Sequence, residues 1–242
     1  MLSVREFHRS KTGNSEAEYE DSFAYDDSRG IFAIADGATE SSFADVWADA
    51  LVTTFVESPP DFNRNDRDVM KEILRLARDK WHRGIDWDSL PWFQKNKALM
   101  GSYSTLLGLQ IDMTGERFRC IAVGDSCMFQ VSRGRMESFP FADSGDMSNT
   151  PKLMWSGLGY SAGLEKEVEI PGIEVKYGRF RQGDTVMLAT DALSKWVLLH
   201  KTEKPWETLA AHGEDFDAFV GELISGGEVK NDDVTLIVIT IT

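Results

Sequence analysis

Aspartate residues stand at the ends of four short apolar runs in this chain. They are Asp36, Asp125, Asp191 and Asp232, which stand beside the runs 31–35, 120–123, 186–190 and 234–239. Hydrophobic strands stack in a core, so acids fixed at the ends of such strands can converge at one edge of it. Mg²⁺ and Mn²⁺ prefer oxygen ligands held in near-octahedral geometry. The pattern therefore predicts a cluster of divalent cations and indicates metal-assisted phosphate chemistry.

The predicted secondary structure around these acids changes from helices to short strands along the chain. Apolar residues at helical spacing predict one helix that begins at Ser41 or Ser42 and ends at the proline pair 59–60, and a second over 66–84. From residue 103 onward, short strand-like runs separated by tight turns predict antiparallel pairing. This order favours an α+β fold, a four-layer αββα sandwich in which helices flank two mostly antiparallel β-sheets.

The length of 242 residues allows one sizeable core, and we expect a single domain over 1–242. Segment 142–163 is rich in Gly, Ser, Asp, Asn and Pro, and a loop of this length is unusual in a compact domain unless it is functional. We interpret it as a flap beside the site. Segment 87–93 contains two Trp and one Phe between predicted elements, where it could bear on a partner.

The charge balance limits the partners. The chain has 26 Lys and Arg against 40 Asp and Glu, a net charge of −14, and such a surface repels nucleic acid and anionic membranes. The first residues lack the basic and apolar segments of a signal peptide, and no stretch approaches the roughly 20 apolar residues that span a bilayer. Two cysteines are too few for a disulfide framework. We therefore expect a soluble cytoplasmic protein that binds neither nucleic acid nor membrane.

Five short motifs in a fixed order resemble the PP2C-type (PPM) metal-dependent protein serine/threonine phosphatases, in particular their compact bacterial members. The motifs are Glu20-Asp21, Asp36-Gly37, Gly124-Asp125-Ser126, Thr190-Asp191 and Asp232-Asp233 followed by Val and Thr. Each motif alone is weak, but their order over residues 20–239 makes a specific signal.

The resemblance implies a role for each matching position. Asp36 matches the aspartate that bridges two metal ions, and Gly37 matches the glycine whose carbonyl binds one of them. Asp191 and Asp232 match the aspartates that complete the sphere of the other metal. Two such ions, Mg²⁺ or Mn²⁺, would lower the pKa of a bridging water and offset the charge of the phosphate, so no protein nucleophile is required. Asp36, Asp191 and Asp232 are therefore the expected catalytic residues.

Four further acids receive other roles by the same resemblance. Glu20 matches a ligand or near-ligand of the metal that Asp36 binds, and Asp21 is its expected neighbour in the second shell of ligands. Asp125 matches a residue associated with a third, weaker metal. Asp233 stands where the family usually has asparagine, so we expect it to form a turn or an outer hydrogen bond instead of a metal contact.

The chain also departs from the family pattern. Many members hold the substrate phosphate with an arginine four residues before the Glu of Glu-Asp, but this chain has Glu16 there. Lys11 and Arg9 are the expected substitutes, if the loop through Gly13 folds back. The histidine that often follows Asp-Gly is replaced by Ala38, so protonation of the leaving group would fall to water.

The resemblance implies a phosphatase that hydrolyses phosphoserine and phosphothreonine on proteins through a hydroxide bridging two Mg²⁺ or Mn²⁺ ions. Its partner would then be a phosphorylated protein substrate, and it would oppose a serine/threonine kinase. Two alternatives stay open. One is a catalytically silent member that acts as a regulatory or interaction module, and the other is a phosphatase of a small-molecule phosphate.

Overall fold

The computed structural model describes residues 1–59, 62–148, 150–157, 170–213 and 215–242. The strands are β1 (Leu2–Arg9), β2 (Ser22–Asp26), β3 (Ile31–Ala35), β4 (Tyr103–Ser104), β5 (Leu106–Asp112), β6 (Arg117–Val123), β7 (Cys127–Ser132), β8 (Arg135–Phe139), β9 (Met154–Trp155), β10 (Glu174–Arg179), β11 (Thr185–Ala189) and β12 (Val234–Ile241). The helices are α1 (Ala44–Glu57), α2 (Asp66–Gly84), α3 (Trp92–Leu99), α4 (Asp191–Leu199), α5 (Pro205–Ala211) and α6 (Phe216–Ser225). Short 3₁₀ turns cover Glu16–Glu18, Ser144–Asp146 and Lys201–Glu203.

Two five-stranded sheets form the centre of the molecule. Sheet one has the order β1-β12-β11-β7-β8, and sheet two has the order β10-β6-β5-β3-β2. Every neighbouring pair in both sheets is antiparallel. The short strands β4 and β9 pair separately. The predicted antiparallel pairing is therefore confirmed.

Alternation along β3 shows how the layers are built. Ile31, Ala33 and Ala35 face the helices α1 and α2, whereas Phe32 and Ile34 face the space between the two sheets. Sheet one buries its other face against α4, α5 and α6. Three apolar cores thus separate four layers, which confirms the predicted αββα sandwich.

The helices of the structure differ from the sequence predictions in two respects. The first helix begins at Ala44 and not at a serine cap, because Ser41 is used elsewhere: its hydroxyl donates to the Ala38 carbonyl at 2.7 Å and accepts from the Tyr103 N–H at 3.2 Å. Helix α3 was not predicted, since its apolar side chains are largely exposed and leave no buried stripe in the sequence.

Among the described residues, no helix is both long enough and apolar enough to cross a bilayer. The predicted flap is described at 142–148 and 150–157, where it contains the 3₁₀ turn Ser144–Asp146 and strand β9. Its remaining residues, 149 and 158–163, lie outside the described part of the chain.

Candidate metal centre

A cleft of about 1090 Å³ opens where strand ends of the two sheets meet. Asp36 follows β3 and Asp125 follows β6, both in sheet two, whereas Asp191 follows β11 and Asp232 precedes β12 in sheet one. All four aspartates line the cleft. The structure thus brings together the acids that the sequence places far apart.

The backbone of Asp36 is held on both sides. Its N–H donates to the Thr105 hydroxyl at 2.9 Å, and its carbonyl accepts from the Thr105 N–H at 2.9 Å and from the Ser104 hydroxyl at 2.8 Å. The Thr105 hydroxyl also lies 3.1 Å from the hydroxyl of Ser126, which follows Asp125. This hydrogen-bonded network links two of the cleft aspartates through buried hydroxyl groups.

The next residue, Gly37, packs too tightly for any side chain. Its N–H donates to the Glu20 carbonyl at 3.2 Å, and a Cβ built on it would lie 2.5 Å from that carbonyl oxygen and 2.9 Å from the Ala44 carbonyl oxygen. Glycine is therefore required here for close approach of the backbone.

Asp191 is held by the junction of β11 and β12. The Thr190 N–H donates to the Thr235 carbonyl at 3.2 Å, and the Thr235 N–H donates to the Thr190 hydroxyl at 2.9 Å. The Ala192 N–H, at the start of α4, donates to the Asp191 carboxylate at 2.6 Å. Asp191 is thus fixed at a helix N-terminus, where a negative charge is favoured.

Burial and neighbouring carboxylates raise the pKa values of Asp36, Asp125 and Asp191. Burial raises the pKa of Asp36 well above its usual value, and the charges of Asp21, Asp191, Asp125 and Asp232 raise it further. Burial, then the charge of Asp191, raises the pKa of Asp125 to about 7. Burial, then the charge of Asp232, raises the pKa of Asp191. Such a group of buried acids is destabilised by mutual repulsion unless a cation balances it.

One cation already contacts the cluster. The Lys230 ammonium donates to the Asp232 carboxylate, and this hydrogen bond raises the pKa of Lys230, with further contributions from the charges of Asp232, Asp191 and Asp36. Within the described residues, no three Asp, Glu, His or Cys side chains are gathered closely enough to hold a metal as they stand. The donors nevertheless fit Mg²⁺ or Mn²⁺ by type, because they are carboxylate oxygens with unbalanced charge.

A sequence model of the family described as protein phosphatase 2C matches residues 12–231. The chain belongs to the protein phosphatase 2C family. A search of curated proteins found no match.

Solved structures with this fold cover nearly the whole of this phosphatase 2C chain. The catalytic domain of the serine threonine protein phosphatase PstP, in complex with two manganese ions, matches with a TM-score of 0.62 at 20% identity over 99% of each chain. The serine/threonine phosphatase Stp1 from Staphylococcus aureus matches with a TM-score of 0.64 at 15% identity, over 100% of this chain and 96% of its own. PppA from Pseudomonas aeruginosa, described as a key regulatory component of T6SS, matches with a TM-score of 0.60 at 16% identity, over 100% and 98%. At these identities the likenesses show the fold.

The Glu20-Asp21 pair of this phosphatase 2C chain lies beside these acids. Glu20 is half-buried, its carboxylate bonds to the Thr39 side chain, and burial raises its pKa. Asp21 is buried and accepts the Thr235 hydroxyl at 2.7 Å, and its charge is the first of those that raise the pKa of Asp36. The expected roles of both residues beside a metal remain predictions.

Asp233 ties the N-terminal loop to the start of β12. Its two carboxylate oxygens accept the N–H groups of Lys11 and Glu20, each at 2.7 Å, and the side chain is buried. Both oxygens are therefore committed to backbone donors. These contacts have the form expected of an outer hydrogen-bonding residue, and its role beside a metal remains a prediction.

The phosphate contact expected of Arg9 and Lys11 remains a prediction, and the structure shows other contacts for Arg9. Arg9 donates to the Asp217 carboxylate at 2.5 Å and to the Asp217 carbonyl at 3.0 Å, so an acid on α6 holds its guanidinium away from the cleft. Lys11 does not line the cleft either, and its charge acts on Glu20, where it lowers the pKa.

Two basic residues of the cleft were missed in the sequence. Lys195 and Lys230 line it together with the four aspartates. Spacing was the available signal for Lys195, which stands four residues after Asp191 and so lies on the same face of a helix that contains both. Lys230 stands two residues before Asp232 in a loop, where spacing does not fix the side of the chain.

Proposed function

We propose that this chain is a Mg²⁺- or Mn²⁺-dependent phosphatase that hydrolyses phosphoserine and phosphothreonine esters on proteins. The observation that supports it most is the set of four aspartates, two from each sheet, that line one cleft, where their charges raise the pKa values of Asp36, Asp125 and Asp191. Divalent cations relieve this repulsion, and oxygen donors suit them.

In this proposal the chain's own residues divide the work. Asp36 would bind both ions, and the Gly37 carbonyl would bind one of them. Asp191 and Asp232 would hold the other ion, and Asp125 would serve a third ion that binds more weakly. Asp21 and Asp233 would orient these residues from outside, and Glu20 would be a ligand or near-ligand of the ion that the Gly37 carbonyl binds. When bound, the ions supply an activated water and offset the charge of the phosphate.

A surface beside the cleft supports a protein substrate. Trp92 and Met100 are 76% and 73% exposed, and Phe93 and Leu99 are also largely exposed. Tyr103 follows in the chain and is also exposed. Its backbone carbonyl accepts the N–H of Ala38 at 2.9 Å, and Ala38 lines the cleft. Exposed apolar surfaces of this kind mark protein contacts. We call the residues Trp92, Phe93, Leu99, Met100 and Tyr103 the apolar rim patch.

The test is hydrolysis of p-nitrophenyl phosphate and of a phosphothreonine peptide, with Mn²⁺ and with EDTA. We expect activity to require Mn²⁺ and Asp36→Asn to lower kcat/KM by at least about 100-fold, because several kcal/mol of charge stabilisation is lost. Asp79→Asn, an equal change on helix α2, serves as the control and should leave the rate unchanged.

Three outcomes would contradict parts of the proposal. Turnover that EDTA leaves unaffected would exclude the metal mechanism. Absence of turnover in a protein that binds Mn²⁺ would instead support a regulatory module. Peptide hydrolysis no faster than that of phosphosugars would support a small-molecule substrate.

A further inference from the structure

We infer that Lys230 and Lys195 bind the phosphate group of the substrate in this cleft. The inference rests on the proposed phosphatase function and specifies how the substrate is held. It assigns the contact to the α4 and β12 side of the cleft and not to the N-terminal loop, where the family pattern had placed it.

Charge balance favours a basic residue in the cleft. Two divalent cations balance the charges of the four aspartates, so the charge of a bound phosphate monoester is left for other groups to balance. Among the described residues that line the cleft, Lys195 and Lys230 are the basic ones. Of the residues that the resemblance suggested, Arg9 contacts Asp217 and Lys11 does not line the cleft.

The two lysines approach the aspartates from different elements. Lys195 lies one helical turn after Asp191 on α4, with an exposed side chain, and its charge lowers the pKa of Asp191. The Lys230 ammonium contacts Asp232, and Asp191 and Asp36 also act on it. Both lysines therefore line the cleft together with the acids, and both side chains are exposed to solvent.

The contact of Lys230 has a consequence for binding. In the protein without metal, its ammonium is the cation that balances Asp232. When Asp232 instead balances a divalent cation, the lysine loses that partner, and a phosphate oxygen is the next anion that its flexible side chain can reach. Lys230 thus changes partner from carboxylate to phosphate as the site fills.

The test compares Lys230→Met and Lys195→Met with Lys176→Met, which removes an equal charge from an ion pair with Glu137 at 3.0 Å outside the cleft. With saturating Mn²⁺, we expect each cleft variant to lower kcat/KM for p-nitrophenyl phosphate by about 10-fold to 100-fold, the size of one charged hydrogen bond. Inhibition by inorganic phosphate should weaken about 10-fold. Lys230→Arg should keep most of the kcat/KM and most of the inhibition by inorganic phosphate.

Calorimetric titration with Mn²⁺ separates this role from a structural one. If Lys230 binds phosphate, Lys230→Met should bind Mn²⁺ as tightly as the unaltered protein or more tightly, because a competing cation is gone. Loss of Mn²⁺ affinity in parallel with activity would overturn the inference. Inhibition of Lys230→Met by inorganic phosphate as strong as that of Lys176→Met would also overturn it.

Binding of inorganic phosphate to the Mn²⁺-loaded protein, also by calorimetry, needs no turnover. Phosphate binding that depends on Lys230 in a protein without hydrolytic activity would contradict the proposed function and support the inference. Mn²⁺ binding without any phosphate binding would contradict the inference. A protein that binds no Mn²⁺ would contradict both.

Discussion

Asp125 shows most directly what burial among like charges does to one residue. Burial and the charge of Asp191 raise its pKa to about 7 from the ordinary aspartate value of 3.8. Between these values the folded protein keeps a proton that the unfolded chain has lost. The free energy of unfolding must therefore fall as the pH rises through this window.

This sign gives a prediction for the metal-free protein. In EDTA, the Tm should fall as the pH rises from about 4 to about 7, and Asp125→Asn should make this fall shallower, because the neutral amide carries no proton to lose. The measurement is thermal unfolding at a series of pH values. Asp79→Asn should keep the full slope, and equal slopes in all three proteins would contradict the prediction.

A second residue-scale prediction concerns Gly37. A Cβ at this position would lie 2.5 Å from the Glu20 carbonyl oxygen. We expect Gly37→Ala to cost about 1–3 kcal/mol of stability and to weaken Mn²⁺ binding, since the backbone beside Asp36 must shift. Denaturant unfolding and calorimetry measure the two effects.

Gly213→Ala is the matched control, because nothing lies within 4 Å of a Cβ built there and the residue is not in the left-handed region. It should leave both quantities nearly unchanged. If Gly37→Ala behaves in the same way, close packing at Gly37 is not what holds the site together.

At the scale of elements, helix α2 and helix α3 show why some segments can be predicted and others cannot. The sequence indicates α2 from 66 to 84 and the structure has it at Asp66–Gly84, because Asn65 caps it and a continuous apolar stripe is buried. In α3 only Ala98 is buried. Its formation depends on tertiary neighbours that a local pattern does not contain.

Segment 87–93, which was expected to bear on a partner, divides in two. Trp87 packs on α2, where its ring stacks on His82 at 4.9 Å and its indole N–H donates to the His82 carbonyl at 2.8 Å. Trp92 and Phe93 instead begin α3 with exposed rings. The structural explanation for Trp87 is therefore packing, and the exposed pair remains available to a partner.

The apolar rim patch leads to a prediction on substrates. Phe93→Ser should lower kcat/KM for phosphorylated casein severalfold and leave p-nitrophenyl phosphate unaffected, because only a protein is large enough to reach both the patch and the cleft. Met113→Ser, an equally apolar change in another exposed position, is the control. Equal losses on both substrates would show that Phe93 acts on the cleft itself.

Over the whole molecule, the aspartates of the site could be found from sequence because each stands at the end of an apolar run. Their grouping could not be derived from the runs alone, since it depends on which strands pair. Asp191 and Asp232 meet because β11 pairs with β12 in the register Leu188↔Ile237. For the same reason the contact of Arg9 with Asp217 could not be predicted, because Asp217 is distant in sequence.

Asp233 connects the start of strand β12 to residues near the N-terminal end of the sequence. Every ladder of strand β1 is made with β12, and Asp233 binds the loop that follows β1. During synthesis, β1 must therefore wait without its partner strand until more than two hundred residues have followed it. Folding dominated by such distant contacts is slow. A nascent chain that ends before residue 232 would carry Asp36, Asp125 and Asp191 but would lack Asp232. We therefore expect no hydrolytic activity from a chain whose strand β12 has not yet left the ribosome.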